Sequence, residues 1–507
     1  MTHKATMSRR KFQNPRPGAS DSSLINLSAF LIVLVLGVLY LYNLGGWLIN
    51  DDEGTFLYQV WRVSEGEYPY RDVFTSRWPL FLYTGAGWMR VWGAEIVPMR
   101  VLSVCMTLGT AITLFFMAQQ TLPAEAALLS MVLFLLHPDA FRFGRSFQPE
   151  PFYVFFSTVG LYLFSKGQTK FKPVFFIGAG LAFAVASLYK LLAVLVVMGC
   201  VLFLATLWLR ERKSRRQVAL GAIFLLLPYV VLFSSVALGF MLAVPSFYES
   251  VIGFHLAQGR ELTFLQVALK GIGFLIAYFF AYTPFLLLAL PAARKGWAGS
   301  RKIGLFSWQL PTALAFIFLS RDLFPRLLLY LVPSLSVLFA AILEPVRLPP
   351  RRLLLLWVAV CIILVSWTMT DVKALLRREH DTKAVSIYIQ KHTSPNDRVL
   401  SDYQEINFYA RRPSTYSGAE ISQVVIASKQ YTGADLIAEI EAQDVKVVLL
   451  DISPQTGHQL VNLEDYDTFR AYLQDHFTLL DTLPRGEQRL EIYLAPENDR
   501  EDDLRAD

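Results

Sequence analysis

Eleven long apolar stretches, separated by loops whose basic residues recur on alternate turns, constrain this chain more than any other feature. A helix that crosses a bilayer needs about 20 predominantly apolar residues. Stretches near 27–49, 98–118, 122–138, 148–165, 173–189, 190–209, 217–241, 267–291, 303–320, 324–343 and 353–370 meet or approach that length. The 507 residues are 54% apolar and 14% aromatic, above ordinary soluble usage. The sequence therefore predicts an α-helical polytopic membrane protein of about eleven transmembrane helices. The stretches 173–189 and 190–209 are contiguous, and Tyr189-Lys190 is taken as their boundary. No small-residue cleavage site follows the first stretch, which reads as a retained anchor.

Lys and Arg concentrate on the cytoplasmic side of membrane proteins. Lys4, Arg9, Arg10, Lys11 and Arg16 precede the first helix and place the N-terminus in the cytoplasm. Counting on, the cytoplasmic loops carry Lys166, Lys170 and Lys172, then Arg210 to Arg216, then Arg294 to Lys302, then Arg347, Arg351 and Arg352. Eleven spans then put the C-terminal segment outside. Charge is divided along the chain: residues 371–507 hold 15 Lys and Arg against 25 Asp and Glu, the remainder 32 against 16. A basic membrane half suits anionic lipid head groups and gives no reason to invoke nucleic acid. Cys105, Cys200 and Cys361 all lie inside apolar stretches, as small buried residues rather than a disulfide framework or metal site.

Residues 1–25 read as a disordered cytoplasmic tail and 26–370 as the membrane domain. The first outer loop, 50–97, is too long and too aromatic for a simple connection. Within it Phe56, Leu57, Val60, Trp61 and Val63 fall at helical spacing, predicting a helix lying in the membrane interface, and 79–92 is a second apolar segment too short to span. A further outer loop, 242–266, carries Glu249, His255 and Arg260. Residues 371–497 change period. Helices are predicted near 381–391 and 434–443 and strands at 398–401, 446–451 and 489–494, giving a small extracytoplasmic α/β domain before an acidic tail, 498–507.

Three groups are candidates for chemistry. Asp51-Asp52-Glu53 open the first outer loop; they suit a helix N-terminus and equally suit a general base at a membrane surface. Arg77, Lys190 and Arg326, with Arg145 close behind, are cations on the outer face. Each alone is explained by snorkelling to the head groups, but together they would stabilise a departing phosphate. Glu150 stands at the mouth of the fourth stretch, where a carboxylate is costly unless paired or bound to a cation; Arg145 is its nearest partner in sequence. No Walker loop, dinucleotide fingerprint or zinc spacing is present, and His137 reads as a helix-end residue rather than a catalyst.

The run Asp52-Glu53, Gly66-Glu67-Tyr68-Pro69-Tyr70 and Arg77-Trp78-Pro79-Leu80 resembles the first outer loop of membrane glycosyltransferases that use polyprenyl-phosphate sugars. These are the GT-C superfamily, which includes protein O-mannosyltransferases, the lipid A aminoarabinose transferase and the Rhizobium core-oligosaccharide transferases. Arg145 with Glu150-Pro151, Ser187-Leu188-Tyr189-Lys190 and Arg326 extend the resemblance over most of 27–370. It departs at Arg77, where the family has Lys, and at Glu150, where Asp is frequent; Arg and Lys differ in donor geometry.

The resemblance implies a GT-C-like fold and inverting transfer from a polyprenyl-phosphate-linked sugar donor to a lipid, glycan or protein acceptor. It implies Asp52 as base with Asp51 as the alternative, Glu53 and Glu150 as orienting residues or ligands of a divalent metal ion, and Arg77, Lys190, Arg326 and Arg145 around the donor phosphate. Two rivals stand beside this reading. A lipid or solute transporter would place its charges nearer the bilayer midplane; an inactive envelope scaffold would not need the acid pair.

Overall fold

The computed structural model describes residues 19–46, 51–211, 214–257, 262–282, 284–300, 303–321, 323–343, 381–453, 459–486 and 488–496. The last apolar stretch, 353–370, residues 1–18 and the acidic tail, 498–507, lie outside the described residues, as does the Asp51 side chain; the end of the tail expected to be disordered over 1–25 is helical from Ala19.

Helices follow most of the remaining stretches: α1 Ala19–Leu41, α2 Asp51–Ser64, α3 Pro79–Trp92, α4 Ile96–Ala118, α5 Ala124–Leu135, α6 Pro138–Gly144, α7 Pro149–Lys170, α8 Pro173–Tyr189, α9 Val194–Arg210, α10 Arg215–Ala243, α11 Phe254–Ala257, α12 Phe264–Tyr282, α13 Pro284–Trp297, α14 Gly304–Ser307, α15 Gln309–Leu319 and α16 Val332–Leu343. Among the described residues, three helices are long and apolar enough to cross a membrane: Ile96–Ala118, Leu191–Arg210 and Arg215–Ala243. The bent pair Ala124–Leu135 and Pro138–Gly144 makes a fourth if counted as one span, and several apolar helices are shorter. The structure is thus mostly helical with fewer clear spans than the eleven expected.

Proline explains where many of these helices start. Pro79, Pro138, Pro149, Pro173 and Pro325 each open a helical segment, where the missing N–H would have no partner in any case. The residue before each is extended, because the proline ring disfavours helical ψ there. Pro138 closes the expected 122–138 stretch, and α6 leaves α5 at 60°. His137 is extended (ψ 129°), and its Nδ1 accepts the Asp139 N–H at 3.2 Å; it is a helix cap. The boundary between α8 and the next helix falls at Lys190, extended at φ −157°, ψ 123°.

The C-terminal domain is a four-stranded sheet in the order β1-β2-β4-β3, with β1 Arg398–Ser401, β2 Val445–Asp451, β3 Thr478–Arg485 and β4 Gln488–Leu494. β1 and β2 are parallel; β4 pairs antiparallel with β2 and β3. Val447, Leu449, Leu490 and Ile492 pack one face against helix Asp381–His392, while Val448, Leu450 and Tyr493 pack the other against Gly433–Ala442 and Tyr466–His476. β3 was not expected. Its side chains are mostly exposed, so it lacks the apolar alternation that marks a half-buried strand.

α2 departs from expectation in an instructive way. The apolar face is as read, with Phe56, Leu57, Val60, Trp61 and Val63 all buried. The opposite side is buried too: α2 is sandwiched between α3 and helix Gln404–Ala410 of the C-terminal domain. Thr55 Oγ1 donates to Gln404 Oε1 at 2.9 Å, and Tyr58 Oη accepts the Ser414 N–H at 2.6 Å. Gly54 makes this contact possible, since a Cβ there would lie 2.5 Å from Glu405 Oε2 and 2.6 Å from its Cβ. Replacing Gly54 by Val is expected to cost about 1–3 kcal/mol by overpacking and to lower the thermal unfolding midpoint of the purified protein in detergent. An unchanged midpoint would show that this contact does not hold the two regions together.

Candidate active site

Four short elements deliver charge to one cavity of about 1030 Å³. α2 brings Asp52 in its first turn; the segment before α3 brings Arg77; the break after α8 brings Lys190; and the 3₁₀ segment Pro325–Leu331 brings Arg326. Leu191, Leu195, Phe316, Leu319 and Leu327 give the cavity an apolar wall. Phe254, His255, Ser422 and Val424 line the side nearest the C-terminal domain. Charged lining residues are five cations, Arg77, Arg142, Lys190, Arg321 and Arg326, against the carboxylates Asp52, Asp139 and Glu420.

The loop carrying Arg77 is fixed by the Gly-x-x-Pro-Tyr element. Gly66 has φ +109° and Tyr70 φ +68°; glycine adopts the first freely, while the second costs a tyrosine about 1–3 kcal/mol unless its surroundings enforce it. They do: Tyr70 N–H donates to Val73 O at 2.9 Å, and its hydroxyl donates to Arg77 O at 2.7 Å. Trp78 packs on Phe233 and Phe247. Arg77 then lies over the Phe56 ring, Cζ to centroid 4.7 Å.

Asp52 pairs with Arg326, and 39% of its side chain is exposed. Burial pushes its carboxyl up, but Arg326, with Arg77 and Lys190 behind it, outweighs burial and holds it below the usual carboxylate range. Lys190 Nζ donates to Glu150 Oε1 at 2.5 Å. Glu150 is therefore paired with Lys190 and not with Arg145, because α7 aims it at the end of α8 rather than back along the chain.

Two residues grouped with these from sequence lie elsewhere. Successive helical residues point about 100° apart, so Glu53 faces away from Asp52. It is buried, bidentate with Arg100 at 2.9 and 2.7 Å, and accepts the Phe147 N–H at 2.8 Å. Arg145 is fully buried; it donates to the carbonyls of Leu39 and Tyr42 and stacks on Phe141. Neither lines the cavity. Their buried contacts brace α2 and the 145–148 turn. Conversely, Arg100, Asp139, Arg142 and Glu420 escaped the sequence reading. Asp139 and Arg142 had a signal, the Pro138 break that turns α6 into the cavity; Glu420 had none.

The resemblance implied Glu53 and Glu150 either as orienting residues or as ligands of a divalent ion. Among the described residues no three His, Cys, Asp or Glu side chains gather as ligands, and the charged group on Glu150 is an ammonium. This donor set does not suit a bound metal, and no step below passes through one.

Residues 76–237 match the family model described as dolichyl-phosphate-mannose-protein mannosyltransferase. The chain superposes on the crystal structure of ArnT from Cupriavidus metallidurans bound to undecaprenyl phosphate, with TM-score 0.67 at 14% identity, covering 95% of this chain and 99% of that one. The fold is that of the GT-C membrane glycosyltransferases. The resemblance read from the loop motifs is thereby borne out, and with it a multi-pass membrane protein. Archaeal oligosaccharyltransferase AglB from Archaeoglobus fulgidus, in complex with an inhibitory peptide and a dolichol-phosphate, is similar at TM-score 0.57 and 14% identity over 94% of this chain and 75% of that one. The same archaeal protein in complex with zinc and sulfate matches at TM-score 0.57 and 13% identity over 85% and 69%. An uncharacterized protein of Aquifex aeolicus is 30% identical over 144 residues, 27% of this chain; the chain spans about a third of that relative's length, 34%.

Removing Arg100 leaves the Glu53 carboxylate buried and unpaired. Arg100→Leu is expected to destabilise the protein by about 3–5 kcal/mol, read by denaturant unfolding in detergent. Glu53→Gln likewise leaves the Arg100 charge buried without its counterion and is expected to lower stability, yet the fraction that stays folded should retain turnover where Asp52→Asn does not. Equal loss in both variants would return Glu53 to the catalytic group.

Proposed function

We propose that the protein is an inverting glycosyltransferase. It moves a sugar from a polyprenyl-phosphate donor to an acceptor hydroxyl at the outer face of the cytoplasmic membrane. The observation that carries this reading is the convergence of one exposed carboxylate, Asp52, with Arg77, Lys190 and Arg326 beside an apolar wall. That arrangement offers a base, a phosphate clamp and a path for a lipid tail. Undecaprenyl phosphate in the Cupriavidus structure and dolichol-phosphate in the Archaeoglobus one support a donor of this class.

In this reading the acceptor oxygen attacks the anomeric carbon of the donor from the Asp52 side. Its proton passes to the Asp52 carboxylate as the new C–O bond forms. The bond from the anomeric carbon to phosphate breaks, and the electron pair leaves with the polyprenyl phosphate. One displacement inverts the anomeric centre. Arg77, Lys190 and Arg326 stabilise the charge gained by the leaving phosphate. Phosphate competes with Asp52 for Arg326, so donor binding raises the Asp52 pKa and makes it a better base when it is needed. The basic loops favour an N-terminus in the cytoplasm, which in this reading leaves Asp52 and the C-terminal domain outside. Phe254, His255 and Ser422 also line the cavity and in this reading contribute to the acceptor's subsite.

Purified protein supplied with synthetic polyprenyl-phosphate sugars and envelope acceptors is expected to release polyprenyl phosphate. Asp52→Asn should slow release by about 10²–10⁴. Wild-type protein that consumes no donor in such a panel would favour a transporter. A pH profile gives an independent check. Asp52 is held low, so it stays ionised from mildly acidic pH upward, and the acid limb of kcat/KM should lie below the ordinary carboxylate range. Arg326→Gln removes the main opposing charge and leaves burial, which should move that limb to higher pH. A limb that stays in place would disconnect Asp52 from the rate.

A further inference from the structure

Among the described residues, Glu420 is the one carboxylate that the C-terminal domain sends into the cavity, and its surroundings are built around it. It is 2% exposed. Oε2 accepts the Ser76 N–H at 2.8 Å and Gln59 Nε2 at 2.9 Å; Oε1 accepts Ser76 Oγ at 2.6 Å and Arg77 Nη2 at 3.1 Å. Gln59 is on α2, two turns beyond Asp52, and its Oε1 accepts Thr75 Oγ1 at 3.0 Å. One buried anion therefore ties together the base-bearing helix, the segment before α3 and the Arg77 guanidinium. Arg77 makes no other ion pair among the described residues. Its remaining orientation comes from the Phe56 ring, which a guanidinium can slide across.

The geometry assigns Glu420 as a positioning residue of the transfer reaction, acting through Arg77. The C-terminal domain is thereby part of the active site. The inference rests on the transferase reading and adds a requirement to it. A guanidinium alone among aromatic and cationic neighbours would be pushed outward by Lys190 and Arg326. A buried carboxylate on its far side pins it and turns its free N–H groups toward the cavity. Because Glu420 also neutralises part of that charge, it contributes little to ground-state affinity for the donor. What it supplies is orientation at the moment the phosphate gains charge, and a small misplacement of such a group costs on the order of 10²-fold in rate.

The test is a double-mutant cycle on full-length protein in detergent, with donor turnover as the readout. Glu420→Gln keeps the shape and the acceptor for the Ser76 N–H but removes the charge. It is expected to lower kcat on the order of 10- to 100-fold with donor KM changed little. In an Arg77→Ala background the same change should add nothing. Glu420→Asp, which retains the carboxylate, should recover part of the loss, and it replaces Glu420→Gln in the cycle if the Gln variant is not monodisperse. Losses that multiply in the double variant, or a Glu420→Gln enzyme with unaltered kcat, overturn the assignment while leaving the transferase reading intact. A wild-type protein that turns over no donor overturns both.

Discussion

A guanidinium and a carboxylate buried together, Arg100 and Glu53, set the geometry on which the candidate site depends. Neither charge is tolerable alone at that depth, so α2 must begin where its third residue meets α4. The same carboxylate accepts the Phe147 N–H, and the same guanidinium donates to Leu44 O. Four chain segments, the end of α1, α2, α4 and the 145–148 turn, are thus held to one point. With Glu53 committed inward, helical geometry leaves Asp52 to face the cavity.

The opposite side of α2 is held by the C-terminal domain through Thr55–Gln404, Tyr58–Ser414 and Gln59–Glu420. An amphipathic helix of this kind would otherwise rest in the lipid interface with its polar residues in water. Here those polar residues are hydrogen-bonded in the interior, which makes the helix a rigid platform rather than a floating one. Rigidity matters because a base and a phosphate clamp from four separate segments act together only when their spacing is kept. The electrostatic arrangement follows the same logic. Each of Arg77, Lys190 and Arg326 is paired with a different carboxylate, Glu420, Glu150 and Asp52. Cations brought this close would repel one another without those partners.

Much of the architecture was legible because membrane burial and proline chemistry are local properties. Apolar length marked most helices, Pro at the first helical position marked five starts, and alternation marked three of four strands. Hydropathy ended the 122–138 stretch at Pro138 but could not show the 60° bend there into α6. β3 was missed because an exposed strand writes no pattern. Within the site, Asp52, Arg77, Lys190 and Arg326 were legible from residue type and loop position, and they do line one cavity. Glu53 and Arg145 were grouped with them because sequence shows charge but not direction. The pairing of Glu150 with Arg145 failed for the same reason, nearness in sequence standing in for nearness in space.

The sequence by itself determined that this chain must bury long apolar helices, that its outer loop carries an acid and several cations, and that a separate α/β unit follows. Those facts depend on composition and on periods of two to four residues, which each segment carries alone. Only the tertiary structure decided which acid faces the cavity, which cation each carboxylate holds, and that Glu420 reaches Arg77 from 343 positions away. No local signal can encode such a pairing. It exists because burying Glu420 without donors would be prohibitive, and the fold supplies those donors from α2 and the segment before α3.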